Sequence, residues 1–133
     1  MSEQLPPPAA PPPPGIPGQG PGQPQPMSAN DERLWAMLSH LSYFVLALIA
    51  PLIIMLTLGT RSAFVRSQSA EALNFHITVL IAGIVGVITI PLIIGIVILA
   101  VVGIGGLVLA IIAAIKSFGG EDYRYPVNIR LVK

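Results

Sequence analysis

The feature that most constrains this chain is a nearly uninterrupted apolar run in its second half. From Ile77 to Ile115 the chain has 39 residues, and only Thr78 and Thr89 among them carry a polar side chain. One straight helix of that length would extend about 58 Å, at about 1.5 Å per residue. Because a bilayer core is about 30 Å thick and takes about 20 apolar residues to cross, the run is long enough to cross twice. The sequence therefore predicts an integral membrane protein built around a helical hairpin.

The turn of this hairpin is predicted between Pro91 and Gly95. A turn there divides the run into two crossings of near-ideal length, over residues 72–92 and 95–116. A turn at the glycines of residues 103–106 would leave a return segment too short to span. Proline disfavours helix in the residue before it, which favours a turn at Pro91. Backbone that is exposed to lipid has its hydrogen bonds satisfied only in a helix or a closed barrel. The run has no alternating polar face for a barrel, so we expect two helices.

Composition supports a membrane class and excludes several functions. Hydrophobic residues make up 53% of the chain and charged residues only 10%, which is typical of a membrane protein rather than a globular one. The net charge of +1 gives no nucleic-acid signature, so we expect no nucleic-acid partner. With no cysteine, the chain has no disulfide framework, thiolate metal site or cysteine nucleophile. We expect no cofactor.

The N-terminal segment, residues 1–28, has the composition of a disordered tail. Residues 1–26 contain 11 prolines, and such a segment cannot bury a core and favours polyproline II conformations. It lacks the basic and apolar regions of a signal peptide. We interpret it as a solvated spacer, with a docking site for a PxxP-binding domain as the alternative.

Residues 29–133 are predicted to form a membrane domain with one further crossing before the hairpin. Ser28 or Asn30 is expected to cap its first helix, and Pro51 is expected to kink the first crossing. The fold class is thus an all-α membrane protein with three transmembrane helices and amphipathic surface helices. The predicted segments are, in order, an amphipathic lead-in (29–40), a first crossing (41–58), a surface helix (60–71), the two hairpin crossings (72–92 and 95–116) and a C-terminal tail (119–133).

The basic residues predict an orientation. With three crossings, the first loop and the C-terminal tail share one side, which carries six of the seven Lys and Arg residues, and Arg33 alone lies on the other. The positive-inside rule then places the C-terminus in the cytoplasm and the N-terminus outside, in a multi-pass protein of the cell membrane. Residues 121–133 alternate apolar and polar side chains, which predicts an extended segment lying against lipid headgroups or another chain.

Small residues predict where the hairpin helices pack. Rows of small residues four positions apart let helix backbones approach closely in lipid. A turn centred near residue 93 pairs Gly83 with Gly103 and Gly86 with Ala100, which we expect as close backbone approaches. The same rows also suit a homo-oligomer. The predicted packing positions are Ala82, Gly83, Gly86, Gly103, Gly106, Ala110 and Ala114.

Three polar residues lie where the second crossing enters the membrane. Glu71, Asn74 and Thr78 fall on one helix face at spacings of three and four. Ionisable groups near the bilayer are the first functional candidates to consider. One interpretation is a polar patch that lines a cavity or contacts a partner. The other, which we favour, pairs Glu71 with Arg61 or Arg66 while Asn74 bonds a neighbouring helix.

The two histidines are predicted to lie on opposite membrane faces. His40 precedes the first crossing and His76 follows it, which would separate them by about 30 Å and exclude a shared metal site in a monomer. Each is expected to be an interfacial hydrogen-bonding group. The sequence contains no metalloprotease, nucleophile-elbow, P-loop or dinucleotide-binding motif. We therefore expect a protein that is not an enzyme.

Four stretches form a recognisable combination: Glu32–Leu41 (ERLWAMLSHL), Phe64–Arg66 (FVR), Glu71–Phe75 (EALNF) and Tyr123–Pro126 (YRYP). Together they resemble a widespread family of small bacterial membrane proteins, a domain of unknown function that has been grouped with the Tic-twenty-like proteins of the chloroplast inner envelope. The resemblance implies a multi-helix membrane protein with no assigned activity. The plastid relatives suggest a component of a protein-import channel, but they have four membrane helices, whereas three are predicted here. The recurring residues of that family map onto Glu71, Asn74, Tyr123, Tyr125 and Pro126.

Three functional hypotheses follow from these features. The first is a non-enzymatic scaffold or accessory membrane component that binds other membrane proteins. The second is a component of an oligomeric channel or translocation assembly, which would use Glu71, Asn74 and Thr78. The third is a lipid-interacting membrane-stress protein, based on the basic and aromatic tail. All three take the lipid bilayer as a partner.

Overall fold

The computed structural model describes residues 24–133, which are helical apart from their turns and the C-terminal tail. The predicted all-α class is confirmed for this part of the chain, because residues 24–133 contain no β-strand. The prediction of disorder for residues 1–23 lies outside the described residues. The α-helices are α1 (Ala29–Leu41), α2 (Ile49–Thr57), α3 (Ala63–Ile88) and α4 (Ile94–Phe118), with 3₁₀ turns at Ser42–Phe44 and Ile90–Leu92.

Serine caps explain where α1 and α3 begin. The Ser28 hydroxyl accepts a hydrogen bond from the Asp31 amide (3.2 Å), and Asp31 and Glu32 place negative charge in the first turn of α1. The Ser62 hydroxyl accepts in the same way from the Val65 amide (3.1 Å). Each cap satisfies a backbone donor that the first helical turn leaves without a partner. Both helices therefore begin directly after a serine.

The chain reverses between α3 and α4 where the sequence predicts a turn. α3 ends at Ile88, a 3₁₀ turn containing Pro91 follows, and Ile93 takes a left-handed conformation with φ of 64°. A Cβ at Gly95 would collide with the carbonyl oxygen of Gly86. Glycine is therefore required where α4 starts back along α3.

Both helices of the hairpin are long and apolar enough to cross a membrane. With 26 and 25 residues, α3 and α4 extend about 39 and 37 Å, which exceeds the bilayer core of about 30 Å. In the most apolar 18-residue stretch of each, only 39% of α3 and 17% of α4 is buried. Exposed apolar surface of this extent is typical of a surface that contacts a membrane or another protein. The hairpin is therefore suited to anchor the protein in a bilayer.

The third crossing, predicted over residues 41–58, is not confirmed. The only α-helix that starts and ends in that range is α2, which has nine residues and is about 14 Å long, too short to cross about 30 Å. Ala47 interrupts the segment with a left-handed φ of 22°. Pro51 falls in the first turn of α2, where a missing N–H costs nothing, so it helps start a helix instead of kinking one. The predicted external N-terminus depended on this crossing and loses its basis.

The surface helix predicted over 60–71 and the crossing predicted over 72–92 form one continuous helix, α3. Residues 68–76 of α3 are buried within the chain, whereas the side chains near its C-terminal end are largely exposed. α1 and the tail pack against the buried part, together with the C-terminal part of α4. We call this end of the molecule the head region, which comprises α1, residues 63–78 of α3, residues 105–118 of α4 and residues 119–133. Residues 79–88 and 94–104 alone extend only about 15 and 16 Å, so a crossing of about 30 Å also includes the part of the head region nearest the hairpin.

One row of small residues on α4 is buried in the head region. Ala110 and Ala114 have almost no exposed surface, and Gly106 is buried one turn before them. A Cβ at Gly106 would lie 2.7 Å from the hydroxyl of Tyr43, just after α1. Small side chains therefore let the segment after α1 approach α4 closely.

The predicted pairing of glycines across the hairpin is wrong. No atom comes within 4 Å of a Cβ placed on Gly83 or Gly103, so these two positions face away from the hairpin contact. A Cβ on Gly86 would meet Leu99 at 2.8 Å, and Ala100 is exposed. Pairing by sequence number requires a turn that is symmetric about residue 93, whereas a 3₁₀ turn precedes Ile93 and α4 begins directly after it.

Candidate functional site

The C-terminal tail lies along one face of α3 and turns back on itself there. This face carries Glu71, Asn74 and Thr78, the same polar residues that the sequence places on one side of the helix. Their side chains accept hydrogen bonds from backbone amides of the tail. The order of these bonds reverses along α3, because the Tyr125 amide bonds Glu71, the Ile129 amide bonds Thr78, and the Leu131 amide bonds Asn74, one turn back. The tail therefore does not form one extended segment, and its binding partner is α3 of the same chain.

Asn74 makes the most complete contact with the tail. Its Oδ1 accepts hydrogen bonds from the amides of Leu131 (2.9 Å) and Val132 (2.8 Å), and its Nδ2 donates to the Val132 carbonyl (2.8 Å). The side chain is 1% exposed. A carboxamide has the same kinds of donor and acceptor as a peptide group, so Asn74 forms hydrogen bonds with both N–H and C=O groups of the tail backbone. The sequence-based expectation that Asn74 bonds a neighbouring helix is wrong.

Glu71 fixes the other end of the tail through two contacts. Its Oε1 accepts from the Tyr125 amide (2.9 Å), and Arg130 donates to both carboxylate oxygens, at 3.1 Å from Nη2 and 3.3 Å from Nε. A two-pronged arginine contact of this kind is stronger and more directional than a single bond. Glu71 therefore pairs with a cation of the tail and not with Arg61 or Arg66, as the sequence had suggested.

Thr78 closes the polar face toward the apolar half of α3. Its hydroxyl accepts from the Ile129 amide (2.9 Å) and donates to the Asn74 carbonyl of its own helix (2.8 Å). Asn128 adds a bond from Nδ2 to the Glu71 carbonyl (3.3 Å). Ser67 and Gln68 bond Asp122, so the tail contacts α3 over about three helical turns, from Ser67 to Thr78.

Tyr125 is the buried anchor of the tail. Its ring stacks on Phe75 with centroids 3.7 Å apart and planes 3° from parallel, and only 2% of the residue is exposed. Burial raises the pKa of Tyr125, so its phenol stays protonated and donates to Nδ1 of His40 (3.0 Å). Tyr123 contacts the edge of this ring and is half-buried, whereas Pro126 is exposed at the bend that follows.

A chain of hydrogen bonds continues from Tyr125 into α1 and α3. The Nδ1 of His40 accepts from Tyr125, and its Nε2 lies 3.1 Å from Oε1 of Gln68. The Gln68 amide nitrogen donates to the Asp122 carboxylate, which fixes the amide orientation and leaves Oε1 as an acceptor. His40 must therefore carry its proton on Nε2. Ser117 of α4 donates to the same Oε1 (2.9 Å), so hydrogen bonds of the Gln68 side chain join α1, α3 and α4.

Burial keeps His40 neutral. Loss of solvent lowers the pKa of His40 to about 4, against a smaller raising effect of the bond to Gln68. A neutral imidazole has one donor and one acceptor, which matches its two partners here. The tail therefore docks onto an uncharged histidine at neutral pH.

His76 also belongs to the head region. Its Nδ1 donates to the Ala47 carbonyl (2.6 Å), and its Nε2 is buried without a partner in the described residues. The two histidines both lie in the head region, close enough to interact electrostatically, so their predicted separation of about 30 Å is wrong. Residues 41–58 between them contain no helix long enough to cross a membrane. Within residues 24–133, no three or more His, Asp or Glu side chains form a group that could hold a metal ion.

The sequence indicates the polar face of α3 but does not indicate most of the side chains that surround it. The polar spacing continues one turn before Glu71, at Gln68, and this extension was the available signal. The contributions of the other elements depend on contacts between residues far apart in sequence. His40 was predicted only as an interfacial hydrogen-bonding group. The residues missed are Ser39, Gln68, Ser69, Ser117, Asp122 and Arg130, of which Ser39 and Ser69 bond each other at 2.8 Å.

The site is thus a surface of α3 and α1 that binds the C-terminal tail of the same chain. It supplies an aromatic surface for one tyrosine, a carboxylate for one arginine and side-chain partners for four backbone amides. Most of its polar atoms are engaged with one another or with the tail. Such an arrangement holds a surface in a fixed shape.

A protein-family model matches almost all of the described residues. The family model described as the magnetosome magnetite crystal formation protein family, MamF/MmsF, matches residues 31–132. This range includes α1 through α4 and the tail up to Val132. The resemblance to Tic-twenty-like proteins is therefore wrong as an assignment. No curated protein and no solved structure matches the chain.

Proposed function

The chain belongs to the magnetosome magnetite crystal formation protein family, and we propose that it is a non-enzymatic membrane scaffold. Its hairpin anchors it in the bilayer, and its head region presents a rigid surface to other proteins of the same membrane. In a family with that name, such a scaffold serves as an accessory component of the membrane around a growing crystal.

The observation that carries this proposal is the use made of the polar residues in the head region. Glu71, Asn74 and Thr78 would be the reactive or pore-lining groups of an enzyme or a channel, and all three bind the tail. Gln68 and His40 are likewise occupied. Groups so engaged stabilise a shape, which is what a scaffold requires.

The orientation proposed for this scaffold follows from two crossings. The seven Lys and Arg residues all lie outside the turn that joins α3 to α4. With a hairpin, both ends of the described chain lie on one side of the membrane, and the positive-inside rule makes this side cytoplasmic. The head region then faces the cytoplasm, where it meets soluble and membrane partners.

Photo-crosslinking from the tail tests the scaffold proposal. A photoreactive phenylalanine analogue at Val127, which is 67% exposed, samples the outer surface of the head region, whereas one at Tyr125 samples its interior. We expect crosslinks to a second protein in native membranes from Val127 but only internal crosslinks from Tyr125. Absence of any partner at Val127 and at the half-exposed Phe64 would contradict the proposal.

Homo-oligomerisation is the second candidate, and one observation favours it. Gly83 and Gly103 each leave open space on the membrane-facing surface of the hairpin, and small residues of this kind permit close helix contacts in lipid. Replacement of Gly83 and Gly103 by leucine would remove such contacts without disturbing the fold. Crosslinked dimers that persist in this double variant would exclude this surface as the contact.

A further inference from the structure

A basic cavity opens in the head region beside the docked tail. It has a volume of about 300 Å³, and Arg124, Arg130 and Lys133 of the tail line it together with Glu71 and Asn74 of α3. Arg130 is paired with Glu71. Within residues 24–133, no carboxylate side chain lies within ion-pair distance of Arg124 or Lys133. The cavity therefore holds two cations available for an anionic group.

An apolar groove lies next to this cavity along α3. It has a volume of about 220 Å³ between α3 and α4, and its lining includes Val79, Ala82, Gly105 and Val127. The polar atoms of its lining contribute almost none of its surface. Its edge at Thr78 is one helical turn from Asn74 of the basic cavity, toward the hairpin turn.

We propose that the basic cavity and the apolar groove together bind one anionic phospholipid, with the phosphate in the cavity and an acyl chain in the groove. The cavity lies at the polar end of α3 and the groove at the beginning of its apolar half. The order of charge and apolar surface therefore matches the order of headgroup and chain in a membrane lipid. Leu80, Ile81 and Val101 at or beside the groove are exposed, so a lipid can enter from the bilayer.

The groove distinguishes a lipid from a free phosphate ion. Inorganic phosphate would use the cations of the cavity and gain nothing from an apolar channel. Basic pockets between helices near the cytoplasmic face are a general way of binding anionic lipid headgroups. A lipid in this position would contact Val127 and Lys133 of the tail at once.

Lipid retention by the full chain tests this site. Native mass spectrometry of protein from mixed phosphatidylglycerol and phosphatidylcholine nanodiscs counts each lipid that stays bound. Each surface cation contributes about fivefold to binding of an anionic lipid, so Arg124→Gln with Lys133→Gln should weaken phosphatidylglycerol retention about 30-fold. The matched control is Arg61→Gln with Arg66→Gln, which removes the same charge outside the cavity and should change retention less than threefold.

A variant of the groove separates the acyl chain from the headgroup. No atom lies within 4 Å of a Cβ on Gly105, so Gly105→Leu fills the groove without a clash at the backbone. Exclusion of two methylenes would weaken phosphatidylglycerol retention about tenfold. Hydrogen exchange at the Leu131 amide should remain slow in every variant, which shows that the tail is still docked and the fold intact.

Three results would overturn the proposal. Equal losses in the cavity variant and its control would indicate general surface charge and no specific site. Displacement of phosphatidylglycerol by millimolar inorganic phosphate alone would indicate an anion site. Unchanged retention in Gly105→Leu would show that no acyl chain occupies the groove.

Discussion

Replacement of Asn74 by alanine should release the C-terminal tail from α3. The side chain makes three hydrogen bonds to the tail, with Leu131 and with both backbone groups of Val132. At about 1 kcal/mol net for each bond, the variant should lose about 3 kcal/mol of docking free energy. This corresponds to an increase of about 100-fold in the population of the undocked tail, at about 1.4 kcal/mol per tenfold.

Hydrogen exchange of the tail amides in nanodiscs measures this release directly. Amides of Leu131 and Val132 should exchange about 100-fold faster in Asn74→Ala, because exchange of a docked segment occurs through local opening. Asn74→Asp keeps the oxygen that accepts both amide bonds and loses the donor to the Val132 carbonyl, so its effect should be intermediate. Asn30→Ala, which alters an exposed asparagine of α1, is the matched control and should leave exchange unchanged. Wild-type exchange at Leu131 in Asn74→Ala would refute the reasoning.

Three further predictions address the anchor of the tail and the packing of α4. The pKa of His40 is about 4 when folded and 6.5 in a model peptide, so only the unfolded chain gains this proton between those values. The free energy of unfolding should therefore fall by about 3 kcal/mol as the pH drops from about 7.5 to 4. In His40→Gln, thermal unfolding measured over the same pH range should not show this loss of stability. Tyr125→Phe keeps the stacked ring but leaves His40 without its donor, so chemical unfolding in detergent should show a loss of about 2 kcal/mol. Gly106→Leu must displace the Tyr43 hydroxyl and should lower stability by about 1–3 kcal/mol, whereas Gly83→Leu, at an open position, should leave the melting temperature unchanged.

The hairpin could be predicted from the sequence because it depends on length alone. A run of 39 residues with two threonines has to fold back in a bilayer, and Pro91 with Gly95 marks the place. Length and apolar composition do not predict the structure of residues 41–58 in the same way. That segment is apolar enough to cross, but Ser39 and His40 just before it are buried in polar contacts, and His76 binds the carbonyl of Ala47 inside it.

The polar face of α3 could be predicted from helical periodicity, but its partner could not. Glu71, Asn74 and Thr78 share a face by spacing alone. Their bonds run to residues 50 to 59 positions later in the chain, from Glu71 to Arg130 and from Thr78 to Asn128. The alternation in the tail indicates an extended segment, and nothing local in the sequence sets its register on α3.

Cysteine labelling in sealed vesicles tests the central claim, that α3 and α4 cross the membrane as a hairpin with the head region on one side. The chain contains no cysteine, so single cysteines at Asn30, Leu92 and Val127 report three defined positions. We predict that an impermeant maleimide reacts with Asn30→Cys and Val127→Cys from the same side, and with Leu92→Cys only from the opposite side. Reaction of Asn30→Cys from the side of Leu92→Cys would restore the third crossing and contradict the account, as would reaction of all three from one side.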